Sequence, residues 1–201
     1  MIATPTRIVC ISGTNRPGNY TAFALGVVER ELQARGATTT LFDTRTLTLA
    51  FPGSSPTPDG VALQDAIEEA DGVVLATPEY HGTFAAMTKL VIENLGYPSK
   101  LAAKPMALVG VASGRIGAIK SLEQLRGVCA HVGALVLPSA ISIAGVRKAF
   151  TDEGVCTDPQ VEEVLQRVAT SLLSFIETYV RPKQILEASV RTDGGPWITR
   201  V

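Results

Sequence analysis

The strongest constraint on this chain is its alternation of short apolar runs with longer segments whose apolar residues recur at helical spacing. Residues 7–12 (RIVCIS) are uncharged after the first, which is typical of a strand buried on both faces. Residues 21–35 follow with a helical stripe of apolar side chains, and Gly36 stands just past the end, where helix-terminating glycines are common. The chain therefore opens with a strand and a helix.

The same alternation continues towards the C-terminus. Further strands are predicted at 38–42, 72–77, 105–111 and 134–137, and further helices at 61–70, 87–95, 118–132 and 161–176, the last ended by Pro182. Strands that alternate with helices pair in parallel and carry helices on both faces of one sheet. Ligands of such sheets bind beyond the carboxyl ends of the strands, so we expect a site in the loops after the first, third and fourth strands.

Composition narrows the class of protein. Of 201 residues 46% are apolar, and 18 Lys plus Arg nearly balance 19 Asp plus Glu, giving a formal net charge of −1. Such a chain can form a substantial core, and its balanced charge argues against nucleic acid or an anionic membrane as a partner. The three cysteines form no CxxC or zinc spacing, and neither a signal peptide nor an 18-residue apolar stretch is visible. We therefore expect a soluble cytoplasmic protein.

The loop after the first strand, residues 12–21 (SGTNRPGNYT), is suited to an anion. Backbone N–H groups at the start of a helix attract negative charge, and the side chains of Thr14, Asn19 and Thr21 can donate to phosphate oxygens. Arg16 can add a charge-assisted hydrogen bond. A phosphate site is predicted here, with an ordinary Gly/Pro turn and a polar helix cap as the alternative.

Two common nucleotide motifs do not fit this loop. Gly13 and Gly18 have the spacing of a Walker A motif, but Asn19-Tyr20 replaces the Lys-Ser/Thr pair. The GxGxxG pattern of dinucleotide-binding sites is also absent. A triphosphate with Mg²⁺ is therefore disfavoured.

The loop after the third strand, residues 77–83 (TPEYHGT), is suited to a flat heterocycle. Pro78 fixes φ and Gly82 permits a tight turn, so the intervening N–H groups are expected to point outward together. Tyr80 could pack on the ring or on a neighbouring surface. His81 has no partner spacing typical of a metal site or a catalytic triad, and no GxSxG motif is present, which disfavours a hydrolase.

The loop after the fourth strand, residues 112–118 (ASGRIGA), is a weaker signal. Its glycines would allow a ligand to approach closely and Arg115 could bind a second anion, although an ordinary turn explains both. Cys10 and Cys129 lie on an apolar strand and an apolar helix stripe, which predicts core packing rather than reactivity.

Together the three loops resemble the NAD(P)H-dependent FMN reductase family of the flavodoxin-like superfamily, which includes quinone, azo-dye and chromate reductases. The resemblance runs from about residue 7 to about residue 179. The first loop is similar to the family's Gly-Ser-x-Arg-x-x-Ser motif, with Gly13, Thr14 and Arg16 in register and Asn19 in place of the second Ser.

The second loop is similar to the more specific Pro-Glu-Tyr-Asn-Gly-Ser signature of that family. The matching residues are Pro78, Glu79, Tyr80 and Gly82. His81 replaces the usual Asn and Thr83 replaces Ser, and residues 114–117 resemble the glycine-rich fourth loop of the family.

The resemblance implies an α/β fold, a flavodoxin-like three-layer sandwich with a five-stranded parallel sheet in the order 2-1-3-4-5. It implies one FMN-binding reductase domain over residues 1–180, followed by a C-terminal tail, 181–201, whose Trp197 and Ile198 are candidates for an oligomer contact. FMN is the implied cofactor, with its phosphate in the first loop, its pyrimidine edge on the backbone of 78–82, and its other side against Ser113 and Gly114. The implied cofactor-binding residues are Thr14, Arg16, Asn19, Tyr20, Thr21, Pro78, Glu79, Tyr80, His81, Gly82, Ser113 and Gly114.

The implied activity is an NAD(P)H oxidoreductase that passes two electrons by a ping-pong cycle to a small acceptor: free flavin, a quinone, an azo dye or a metal oxyanion. No side chain is nominated as acid, base or nucleophile. The alternatives are a flavodoxin-type single-electron carrier, which usually docks through an acidic face that this chain lacks, and a non-catalytic flavin-binding regulator. A homodimer or homotetramer is expected, with Tyr80, Phe84 and Met87 near the interface, unless Phe84 and Met87 belong to the monomer core.

Overall fold

A parallel sheet flanked by helices organises the part of the chain that this computed structural model describes, residues 5–192. The strands are β1 (Arg7–Ser12), β2 (Thr38–Asp43), β3 (Gly72–Tyr80), β4 (Thr83–Phe84), β5 (Pro105–Val111), β6 (Leu135–Val136) and β7 (Ile141–Ile143). The helices are α1 (Tyr20–Ala34), α2 (Pro58–Glu69), α3 (Ala86–Glu93), α4 (Ile119–His131), α5 (Pro159–Phe175) and α6 (Arg181–Thr192). Val146–Lys148 forms a 3₁₀ turn and Ile176–Val180 a π turn.

The sheet has the strand order β2-β1-β3-β5-β6, and β7 also pairs with β5. These pairings are parallel, and only the short β4 adds an antiparallel partner to β3. Because β6 and β7 are two pieces of one edge strand, the predicted order 2-1-3-4-5 and the flavodoxin-like fold are confirmed. Ser12 pairs with Ala76 and Pro78 pairs with Val111, so the loops after β1, β3 and β5 leave the sheet at the same edge.

The central strands are buried on both faces because alternate side chains enter two different cores. Cys10 and Val74 pack towards α1 and α5, whereas Ile11 and Leu75 pack towards α2, α3 and α4. Cys129 is also buried, and burial raises the pKa of both buried thiols, that of Cys129 to about 12. The prediction that Cys10 and Cys129 are core residues is therefore confirmed.

The chain remains helical beyond Pro182, so the predicted helix end at that residue is wrong. A π turn follows α5, and α6 then begins at Arg181, with Pro182 as its second residue. Proline cannot donate the hydrogen bond of a helix interior, and its ring crowds the preceding turn. Here the wider π turn comes directly before Pro182, and its last hydrogen bond runs from the N–H of Arg181 to the carbonyl of Ile176. A side-chain nitrogen of Arg181 lies 3.1 Å from Thr6 Oγ1 and 3.4 Å from an oxygen of Asp71, which fixes the start of α6 to the body.

The predicted oligomer contact at Trp197 and Ile198 lies outside the described residues. Within the described part, no helix combines the length and the apolar composition needed to cross a lipid bilayer.

Candidate functional site

A cavity of about 160 Å³ opens at the edge of the sheet where the strands end. Its walls come from residues 16–21 at the start of α1, 78–80 at the end of β3, 111–113 after β5, and Val146 and Arg147 in the 3₁₀ turn. All three loops that the sequence singled out therefore contribute to one cavity, as expected for a parallel sheet.

The start of α1 forms one wall of this cavity. Asn19 caps the helix: its Oδ1 accepts from the N–H of Ala22 at 2.8 Å, and its Nδ2 donates to the carbonyl of Arg16 at 2.8 Å. Tyr20 and Thr21 line the cavity, and their backbone N–H groups make no hydrogen bond to another described residue. Unpaired N–H groups at the start of a 15-residue helix are a good fit for a phosphate.

Arg16 and Thr14 have different places in this loop. The guanidinium of Arg16 is exposed at the cavity and forms no hydrogen bond or ion pair with the described residues. Thr14 is buried and does not line the cavity; its Oγ1 lies 3.4 Å from the Tyr80 hydroxyl and 3.4 Å from the N–H of Arg16. Arg16 can thus meet a ligand, whereas Thr14 holds the loop against Tyr80.

The segment predicted as a loop at 77–83 is mainly a β-hairpin. β3 continues to Tyr80 and returns as β4, with Tyr80 paired to Thr83. His81 and Gly82 form the two-residue turn with φ of +53° and +76°, as a type I′ turn requires. Asn and His adopt a positive φ more readily than most residues. The turn therefore suits both the Asn of the Pro-Glu-Tyr-Asn-Gly-Ser signature and the His81 of this chain. Neither His81 nor Gly82 lines the cavity.

Glu79 fixes this hairpin to α4. The residue before α4, Ala118, provides no side-chain cap. Glu79 supplies one from β3, because its Oε2 accepts from the N–H of Ser121 at 3.1 Å. A carboxylate at this position also interacts favourably with the helix dipole.

Another part of the cavity wall includes residues that sequence reasoning missed. Ser113 lines the cavity as predicted, but Gly114 does not, and the Nε of Arg147 donates to Ser113 Oγ at 3.1 Å. Val111, Ala112 and Val146 complete this wall. Val146 and Arg147 follow β7, the second piece of the fifth parallel strand. Because ligands bind beyond the carboxyl ends of such strands, this loop could have been predicted in the same way as the other three.

The cavity offers hydrogen-bond donors to a ligand but few side chains that could act as nucleophile, acid or base. No histidine or cysteine is among its lining residues. Within residues 5–192, no three His, Cys, Asp or Glu side chains are placed to hold a metal ion. The arrangement is suited to hold a phosphorylated ring compound that carries the reactivity itself.

Comparison with known proteins agrees with this description. Residues 6–148 match the family model described as NADPH-dependent FMN reductase. The chain is 29% identical to the NADH:(hydroxy)cinnamate reductase subunit CrdA of Vibrio ruber, over 84% of this chain and 86% of that protein. It is 28% identical to the NAD(P)H-dependent FMN reductase PA1204 of Pseudomonas aeruginosa, over 85% of this chain and 95% of that protein.

A solved structure shows the same fold. The flavoenzyme NAD(P)H:(acceptor) oxidoreductase FerB of Paracoccus denitrificans superposes with a TM-score of 0.71 at 24% identity, covering 88% of this chain and 99% of that one.

Proposed function

Because the chain belongs to the NADPH-dependent FMN reductase family, and is thus an FMN-dependent oxidoreductase of NAD(P)H, we propose that it passes two electrons to a small acceptor in a ping-pong cycle. The observation that carries the proposal is the single cavity shared by an anion-binding helix start and a hairpin. FMN supplies the hydride chemistry when bound, and the protein contributes binding, orientation and exclusion of water.

The residues of the cavity divide this task between them. The N–H groups of Tyr20 and Thr21 and the guanidinium of Arg16 bind the phosphate. Residues 78–80 and Ser113, which also line the cavity, hold the ring. The remaining proposed contributors are Asn19, which caps α1, Thr14, which contacts Tyr80, His81 and Gly82, which form the hairpin turn, and Gly114, which follows Ser113.

The proposed acceptor class is broad: free flavin, a quinone, an azo dye or a metal oxyanion. The two relatives described above are named for FMN and for (hydroxy)cinnamate, so members of similar sequence differ in acceptor. Organic acceptors of this class are flat and can stack on a bound ring without dedicated side chains.

Steady-state kinetics test the cycle. With FMN-loaded protein, we expect initial rates at several fixed quinone concentrations to give parallel lines in double-reciprocal plots against NADPH and against NADH. FMN without protein is the control for direct reduction of the quinone. Intersecting lines would contradict the ping-pong order. Negligible NAD(P)H oxidation by protein that has bound FMN would favour the single-electron carrier or the regulator.

We also propose that the protein is a homodimer or homotetramer whose interface includes the groove between α3 and α4. This groove has a volume of about 720 Å³, and Phe84, Ile92 and Val128 are among its lining residues. Phe84 and Met87 are only half-buried against the core, so both can also contribute to a contact between copies. A two-fold arrangement would bring the groove of one copy against that of another.

Light scattering at micromolar concentration should give a mass of at least twice 21.2 kDa. Gly127→Glu should shift the mass towards the monomer, because it places a charge in the groove. The fold should tolerate the new side chain, since Gly127 is exposed and no heavy atom lies within 4 Å of an added Cβ. Ala130→Glu, at an exposed position of α4 outside the groove, is the matched control. A monomeric parent protein would refute the interface.

A further inference from the structure

Two buried threonines join the loop before α1 to the hairpin. Thr77 lies in β3 and Thr88 in α3, and both side chains are fully buried. Thr88 Oγ1 donates to the carbonyl of Gly13 at 2.8 Å and lies 2.9 Å from Thr77 Oγ1. Thr77 Oγ1 in turn accepts from the N–H of Ala85 at 3.2 Å. One continuous set of hydrogen bonds therefore runs from the first loop to the residues on either side of the hairpin.

Gly13 of the first loop also packs closely against Thr88 and Ala76. The N–H of Gly13 donates to the carbonyl of Ala76 at 2.8 Å, so Gly13 is held through both of its backbone polar groups. A Cβ on Gly13 would lie only 2.2 Å from Thr88 Oγ1. The position of this loop relative to β3 is thus determined by Thr88 as well as by the sheet.

We propose that Thr88 is a positioning residue that sets the distance between the phosphate-binding loop and the ring-binding hairpin, and so makes the site selective for a phosphorylated flavin over riboflavin. This inference rests on the proposed function. A ligand with a phosphate at one end and a ring at the other gains full affinity only where both ends meet prearranged donors. Riboflavin lacks the phosphate and needs only the ring-binding half, so it does not depend on this distance.

Two substitutions separate the hydroxyl of Thr88 from its shape. Thr88→Val keeps the shape but removes the donor and leaves the carbonyl of Gly13 unpaired in a buried position, whereas Thr88→Ser keeps the donor. The readout is the dissociation constant of the FMN-free protein for FMN and for riboflavin, measured by fluorescence quenching. We expect Thr88→Val to reduce the preference for FMN about fivefold to tenfold, and Thr88→Ser to retain most of it.

Thr44→Val is the matched control. Thr44 is buried, and its Oγ1 donates to the carbonyl of Ser12 at 2.9 Å from the β2 side, away from the hairpin. This variant removes a buried threonine hydroxyl that binds the loop one residue earlier, although the carbonyl of Ser12 keeps the N–H of Thr44 as a donor at 3.3 Å. It should leave the ratio of the two affinities unchanged. Should Thr88→Val fail to fold, Thr88→Cys, with a weaker donor, should give an intermediate ratio.

An unchanged ratio in the folded Thr88 variant would overturn the inference and leave the proposed function intact. Equal riboflavin and FMN affinities in the parent protein, or no FMN binding, would instead reject the proposed phosphate site.

Discussion

Gly13→Ala is expected to lower the free energy of unfolding by about 2–4 kcal/mol and to abolish tight FMN binding. The added Cβ would lie 2.2 Å from Thr88 Oγ1 and 2.9 Å from the carbonyl oxygen of Ala76. Ala76 is held in the centre of the sheet and Thr88 is fully buried, so relief requires the loop itself to move. Urea unfolding measures the stability, and flavin fluorescence measures the binding.

The control for this substitution is Gly26→Ala in the middle of α1. An added Cβ at Gly26 has Arg30 Nη1 as its nearest neighbour at 3.6 Å, an ordinary contact. Alanine should therefore raise stability there by about 0.5–1 kcal/mol, through its higher helix propensity. A Gly13→Ala variant as stable as the parent would show that the first loop is not seated against β3 and α3 as described.

Arg16→Ala is expected to raise the dissociation constant for FMN about 10- to 150-fold, which corresponds to about 1.5–3 kcal/mol for a charge-assisted hydrogen bond. Because the Arg16 guanidinium makes no hydrogen bond or ion pair with residues 5–192, its removal should leave stability nearly unchanged. Riboflavin has no phosphate, so its affinity should not change. Fluorescence quenching titrations of the FMN-free protein with both flavins provide the measurement.

Arg30→Ala is the matched control for charge, because Arg30 is an exposed arginine of α1 outside the cavity. It should leave both affinities unchanged. Arg16→Lys keeps the charge but loses the forked geometry of the guanidinium, so an intermediate affinity is expected. An equal loss of riboflavin and FMN affinity in Arg16→Ala would contradict a phosphate contact by Arg16.

The sheet and the convergence of its loops could be predicted from sequence because both depend on strong local signals. β1 and β5 are short apolar runs without internal charge, as expected for strands buried on both faces. Parallel strands separated by helices then bring their carboxyl ends to one edge, so the loops after β1, β3 and β5 could be assigned to one site before their geometry was known.

The parts that were missed depend on tertiary contacts rather than on local pattern. Glu79 and Tyr80 belong to a strand because β4 pairs with it, and β4 is too short to be recognised alone. Arg147 reaches the cavity because the fifth strand is split and its second piece carries the chain back to the sheet edge. A proline such as Pro182 usually predicts a helix end, but here a π turn comes directly before it and the chain stays helical to Thr192.

The two cores described above also have a consequence for how the chain folds as the ribosome releases it. The buried residues of the core under α2, α3 and α4 lie between Val9 and Ala134, whereas those of the core under α1 include residues of α5 and Ile176. Since synthesis proceeds from the N-terminus, the core under α2, α3 and α4 can pack while the core under α1 still lacks α5. The side of the nascent protein that carries α1, and with it the helix start at the cavity, is therefore the last to be completed.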